Sequence, residues 1–294
     1  MSDSGAKAQA SLYISAESAT ASVTEKLSVE LEKTPVLHFL MDHLSGFLYF
    51  AAQKLIDRKA KTGEERPRDE AVIASCSRLF NECFAGYLLA RRGLVLQSIV
   101  LLRSAFEITS QAVLFMERED LALAWLRGKK IPPKEVRSLS PFAAAQRQLY
   151  KKLSGLSHPN IEALRYHTVP LPSRKSMALA YGGWFVPKSA GQIATQYLFA
   201  QLVFLERFYS AYHIDLQAHG LLWRPETLEV LRNSGDVEKF GWFDFLSGLR
   251  KMTTDLLDHY NALPDDALTM SLHLDDLSAA QSGSLGGEEP RPPE

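Results

Sequence analysis

One stretch constrains this chain more than any other: Leu94 to Met116, LVLQSIVLLRSAFEITSQAVLFM. Its apolar residues do not alternate, and it is too long for an ordinary strand. As a helix it makes about six turns. On a helical wheel Arg103, Ser104, Glu107 and Gln111 fall in one narrow sector, and apolar side chains fill most of the rest. A helix that is apolar nearly all round is buried in a large core or in a membrane. Arg103 and Glu107 sit near its centre, where a charge in lipid costs roughly 2.5 kcal/mol or more. The expectation is therefore a core helix of an all-α protein, with its ion pair inside the core and no membrane span.

The rest of the chain is read around that helix. A Thr34-Pro35 start, with Thr as N-cap and Pro in the first turn, opens a helix that stops near Gly63. TGEERPRDE reads as a charged linker. Val72, Cys76, Leu79, Cys83 and Tyr87 recur at helical spacing in the next helix, Arg68 to Arg91, which Gly93 terminates. Shorter helices are expected at 120–126 and 141–159, and longer ones at 191–219 and 242–262. Residues 166–188, rich in Pro and Gly, read as an irregular connection with a short helix near Lys175 to Tyr181; long connections of this kind are often functional. The organisation predicted is one multi-helix bundle over 23–262, with about seven main helices. A disordered segment over 1–22 precedes it, with a short amphipathic piece from Val23 to Lys33, and an acidic disordered tail over 263–294 follows.

Composition adds limits. Two cysteines, Cys76 and Cys83, provide no disulfide framework and read as buried reduced thiols. No targeting signal is visible at the N-terminus, so the cytoplasm is the expected location. The net charge of -1 hides an asymmetry: from Asp255 onward there are nine acids and one base, leaving a surplus of positive charge on the body. Such a layout suits either a nucleic-acid surface with a competing tail or a solubilising end.

The chain lacks a P-loop, a glycine-rich dinucleotide fingerprint, a nucleophile elbow and an H-E-x-x-H motif. No His has Glu three residues before it, as carboxylate di-metal bundles require. Asp255 and His259 could share a metal, but two ligands make no site. No cofactor and no metal are expected. The candidate polar site joins Arg103 and Glu107 with Tyr150, Ser154 and His158, which share a face in the 141–159 helix. As a structural network these residues satisfy one another in the core. As a site, Arg103 binds an anionic oxygen, His158 acts as base or ligand, and Glu107 orients a partner. A basic loop with Arg127, Lys129, Lys130, Lys134 and Arg137 is the candidate nucleic-acid surface.

LLRSAFEITSQAVLFM, followed some forty residues later by YKKLSGLSHPN, resembles a group of bacterial all-helical proteins of unknown function, distantly similar to HEPN-like and abortive-infection proteins. The resemblance spans about Arg68 to His219. It implies an all-helical fold and carries Arg103, Glu107, Tyr150, Ser154 and His158 over as the matching positions. HEPN-type nucleases use Arg, four to six residues, then His; Arg207 and His213 in RFYSAYH fit that spacing. Two functions are thus expected in order: a helical protein acting by binding or self-association, with a second copy or another protein as partner; and, as the alternative, a HEPN-like ribonuclease or nucleic-acid-directed defence protein.

Overall fold

The computed structural model describes residues 3–132, 134–136, 153, 168–171, 176–179, 183, 186–214 and 242–263. Seven helices of eight or more residues lie among them: α1 (Asp3–Glu32), α2 (Pro35–Thr62), α3 (Pro67–Arg91), α4 (Val95–Glu117), α5 (Glu119–Leu126), α6 (Pro187–Tyr212) and α7 (Trp242–Ala262). The fold is all-α, as the periodicity predicts. Leu153, buried, is the one described residue of the 141–159 helix, and the 264–294 tail lies outside the described residues.

Local chemistry accounts for most of the boundaries. Pro35, Pro67 and Pro187 each occupy the first turn of a helix, where a missing N–H costs nothing. Asp69 and Glu70 stand in the first turn of α3, beside the positive end of its dipole. Gly93 takes φ 69° between α3 and α4, a left-handed conformation that disfavours any other residue. There the Leu94 N–H donates to the Leu89 carbonyl at 2.9 Å and the Gly93 N–H to the Ala90 carbonyl at 3.0 Å. These bonds satisfy the end of α3 and turn the chain back into α4.

Three expectations change. α1 begins at Asp3, twenty residues before the short piece expected at Val23; a stretch rich in Ala, the best helix former, carries it. Thr34 occupies the N-cap of α2, but its hydroxyl caps nothing. It donates to the Leu31 carbonyl at 2.9 Å and accepts from the Tyr260 hydroxyl at 2.6 Å, tying α7 to the α1–α2 corner. Within 166–188 the expected short helix is replaced by strands β1 (Thr168–Leu171) and β2 (Ser176–Leu179), an antiparallel pair with Val169 opposite Ala178. The Pro and Gly content of this stretch disfavours a helix, and two short strands meet their backbone bonds in each other.

α4 is the centre. It packs on α3, α5 and α6, while α2 packs on α3 and α6, and α7 lies on α6. Among the described residues α4 is the one helix long and apolar enough to cross a membrane, and its apolar sides are covered by these neighbours. Polar groups inside the core find partners. The Ser98 hydroxyl donates to the Gly86 carbonyl at 2.7 Å, and the Tyr197 hydroxyl donates to the Ser98 carbonyl at 2.6 Å. Thr109, Ser110 and Thr195 each bond the carbonyl four residues back. Cys76 and Cys83 are buried free thiols, and burial pushes both well above the ordinary thiol range.

Candidate anion-binding cleft

α6 and α7 meet closely at one end. A side chain on Gly191 would stand 2.1 Å from the Tyr260 ring, and Gln192 donates to Asn261 at 2.7 Å. At the other end the helices leave a cleft of about 480 Å³. Glu206, Arg207, Tyr209, Ser210 and His213 line it from α6, and Leu246, Ser247 and Arg250 from α7. The spacing makes this wall: Glu206, Ser210 and His213 stand four and three residues apart on one helix face.

The electrostatics favour an anion. Among the described lining residues Glu206 is the single acid, and Arg250 reaches across the cleft to pair with it. Arg207 adds a positive charge beyond that pair. Among the described lining residues two guanidinium groups thus stand against one carboxylate. Ser210, Tyr209 and Ser247 contribute hydroxyls suited to phosphate oxygens. A volume near 480 Å³ falls in the range of small-ligand pockets.

His213 is the only non-glycine residue with positive φ among the described residues, at φ 51°. It closes α6 as a left-handed cap, its N–H donating to the Tyr209 carbonyl at 2.8 Å. A side chain there costs about 1 kcal/mol or more, so its surroundings must hold it. The residue before it supplies the anchor. The Tyr212 hydroxyl donates to Asp69 Oδ1 at 3.1 Å, and its ring lies under the guanidinium groups of Arg58 (5.1 Å) and Arg68 (4.8 Å). Arg58 also pairs with the other oxygen of Asp69, which is only 6% exposed. Burial first, and then Asp69, push the Tyr212 phenol well up, so it stays a donor at any ordinary pH. This network joins α2, α3 and the end of α6.

The sequence-predicted residues fall in different places. Arg207 and His213 line one cleft. Arg103 and Glu107 do pair, Nε to Oε1 at 3.3 Å, but their side chains are 25% and 34% exposed. The expectation of a pair enclosed in the core is corrected: Arg103, Ser104, Glu107 and Gln111, the polar sector of α4, are half-buried. Ser104, in the same sector, donates to Glu82 at 3.0 Å. Tyr150, Ser154 and His158 lie outside the described residues, as does Arg137. Arg127, Lys129, Lys130 and Lys134 are all exposed. Asp255 and His259 are exposed on α7, and no group of three or more potential ligands gathers for a metal among the described residues. The Asp69 network was missed: its carboxylate was read as part of a charged linker, and the one available signal was an acid two residues after a helix-opening Pro.

Comparison of the chain with protein-family models, with curated proteins and with solved structures finds no match.

Proposed function

We propose that the protein is a binding protein whose α6–α7 cleft takes a phosphate-bearing ligand, a single strand of nucleic acid. One observation carries the reading: Arg207, His213 and Arg250 line the same cleft, and the one acid among its described lining residues, Glu206, is paired with Arg250. Tyr209 offers a ring on which a base can stack, and the exposed lysines and arginine after α5 supply further positive surface. The test is fluorescence anisotropy with a labelled single-stranded RNA at low salt. Binding that falls as salt rises is expected, with Arg207→Ala weakening it about tenfold or more. Absence of binding at low salt, or equal binding by the variant, refutes the reading.

A second reading, ribonuclease activity, is favoured by the Arg207–His213 spacing together with their shared cleft. His213 would take the proton of the 2′-hydroxyl as its oxygen attacks phosphorus, the P–O5′ bond would break to leave a 2′,3′-cyclic phosphate and a 5′-oxygen protonated by water, and Arg207 would hold the phosphate. Cleavage of the same RNA, lost in His213→Ala while binding persists, is its expected result. Binding without cleavage retains the first reading and removes the second.

A further inference from the structure

Tyr260 meets α6 at Gly191 and Arg250 meets it at Glu206, so α7 runs antiparallel to α6. The Glu206–Arg250 pair stands where the cleft begins. Beyond it Tyr209, Ser210 and His213 follow Glu206 on α6, and Ser247 and Leu246 precede Arg250 on α7. Arg250 Nη2 donates to Glu206 Oε2, and both side chains reach solvent, Arg250 at 48% exposure and Glu206 at 24%. A guanidinium carries five N–H donors in a planar fork, which fits carboxylate and phosphate oxygens alike. A phosphodiester offers what a carboxylate offers, two oxygens sharing one negative charge. Glu206 thus occupies on Arg250 a place that a phosphate of the ligand also fits.

We propose that Glu206 is an internal competitor for the ligand: its carboxylate holds Arg250 across the free cleft, and a phosphate of the bound strand takes its place. The proposal rests on the cleft as a site for single-stranded nucleic acid and adds how that site is restrained. A pair this exposed can be displaced, since such pairs shift an equilibrium by about fivefold at most. The exchange also has an ionic signature. A phosphate that meets an unpaired guanidinium releases counterions condensed on the strand. Where Glu206 must first leave, the carboxylate left behind gathers a cation of its own, and the two nearly cancel. Arg250 then adds little to the salt dependence of binding as long as Glu206 carries its charge.

Fluorescence anisotropy of a labelled single-stranded RNA on the full chain, over a series of salt concentrations, tests the proposal. Glu206→Gln keeps the shape without the charge, and is expected to bind about three- to fivefold tighter. It should also steepen the slope of log affinity against log salt by about 0.7, one more phosphate contact on a single strand. Arg250→Ala added to Glu206→Gln should erase both gains. Asp258→Asn removes an exposed acid near the other end of α7 and adds the same charge to the chain, yet should change neither. Should Glu206→Gln fail to fold by circular dichroism, Glu206→Ala replaces it with the same expectation. Unchanged or weaker binding by the Glu206 variant overturns the proposal. Tighter binding without a steeper slope, or gains that survive the loss of Arg250, overturn it too. A wild-type chain that binds no RNA removes the cleft's proposed function and the competitor with it, whereas binding weakened by Arg207→Ala but indifferent to Glu206→Gln removes the competitor alone.

Discussion

Gly86→Ala should be among the most damaging single changes available, although alanine is the better helix former. Gly86 lies in α3, and a Cβ there would stand 1.8 Å from the Tyr197 hydroxyl and 2.1 Å from the ring carbon that bears it. Tyr197 has no room to withdraw. It is fully buried, and its hydroxyl donates to the Ser98 carbonyl at 2.6 Å. Ser98 in turn donates to the Gly86 carbonyl at 2.7 Å, so the added methyl strikes the junction of α3, α4 and α6. Overpacking of this kind costs about 1–3 kcal/mol, and losing its bond to Ser98 leaves the buried Tyr197 hydroxyl unsatisfied for about 1–3 kcal/mol more. The gain in helix propensity returns about 1 kcal/mol. A net loss of about 3 kcal/mol is expected, which lowers Tm by about 6–12 °C in a domain of this size. Urea unfolding followed by far-UV circular dichroism measures it. Placing the change in a Tyr197→Leu background should recover about 2 kcal/mol of the loss, because the obstructing ring is gone. A Gly86→Ala protein as stable as wild type, or a loss unaltered by Tyr197→Leu, would refute the packing argument.

Other changes probe the polar network and His38, in the first turn of α2. Asp69→Asn removes the charge that holds Arg58 and Tyr212; a paired carboxylate this buried costs several kcal/mol to disrupt, discounted here to about 2 kcal/mol because both arginines reach solvent, and denaturation curves measure it. Arg103→Ala removes a part-exposed i,i+4 pair with Glu107 worth about 0.3–0.5 kcal/mol on its own, so the same change should cost less by about that amount in a Glu107→Gln background, and an unaltered cost would mean that the pair contributes nothing. His38 is held below the ordinary imidazole value, chiefly by burial and then by the Arg91 guanidinium, against smaller opposing effects of Asp42 and Glu32. With the folded pKa depressed, its contribution to stability is complete above about pH 6.5, and is lost as pH falls through the folded value. NMR titration of the ring should show that depression, and His38→Gln should flatten the fall in stability on the acid side.

Much of the helical framework is legible in the residues because two independent signals coincide there. In α3, apolar periodicity runs between Pro67 and Gly93, and both ends fall within a residue or so of their expected place. α4 and α7 behave alike. Where the signals separate, the reading drifts. α6 starts at Pro187, four residues before the expected Gly191, and ends at Tyr212 rather than His219, because a left-handed histidine, and no glycine, stops it. Charge was the least legible property. Arg103 and Glu107 share an apolar helix with a buried surround, yet are themselves only half-buried. Asp69 sits in a run of charged residues, yet is buried. Sequence spacing reports which residues share a face; it does not report which faces a later helix will cover. Arg207 and His213 were legible as a spaced pair, but the α7 wall opposite them was not, since Arg250 lies 43 residues beyond Arg207 and 37 beyond His213.

The last two turns of α6 show why these failures belong together. Phe208 and Tyr212 point into the protein, with ring centroids 4.8 Å apart, and Tyr212 ends on Asp69 between two guanidinium groups. Glu206, Ser210 and His213 face the cleft. One helix end thus has an anchored back and an open front, and the αL turn at His213 follows the anchored residue directly. The anchor comes from α2 and α3, which contribute no lining residue to the cleft. A site whose front is set by a short motif can therefore depend for its geometry on residues more than a hundred positions away. Loss of ligand binding in Asp69→Asn, with Arg207 and His213 both present, would be the expression of that dependence; unchanged binding would mean that the fold of α6 alone suffices to place them.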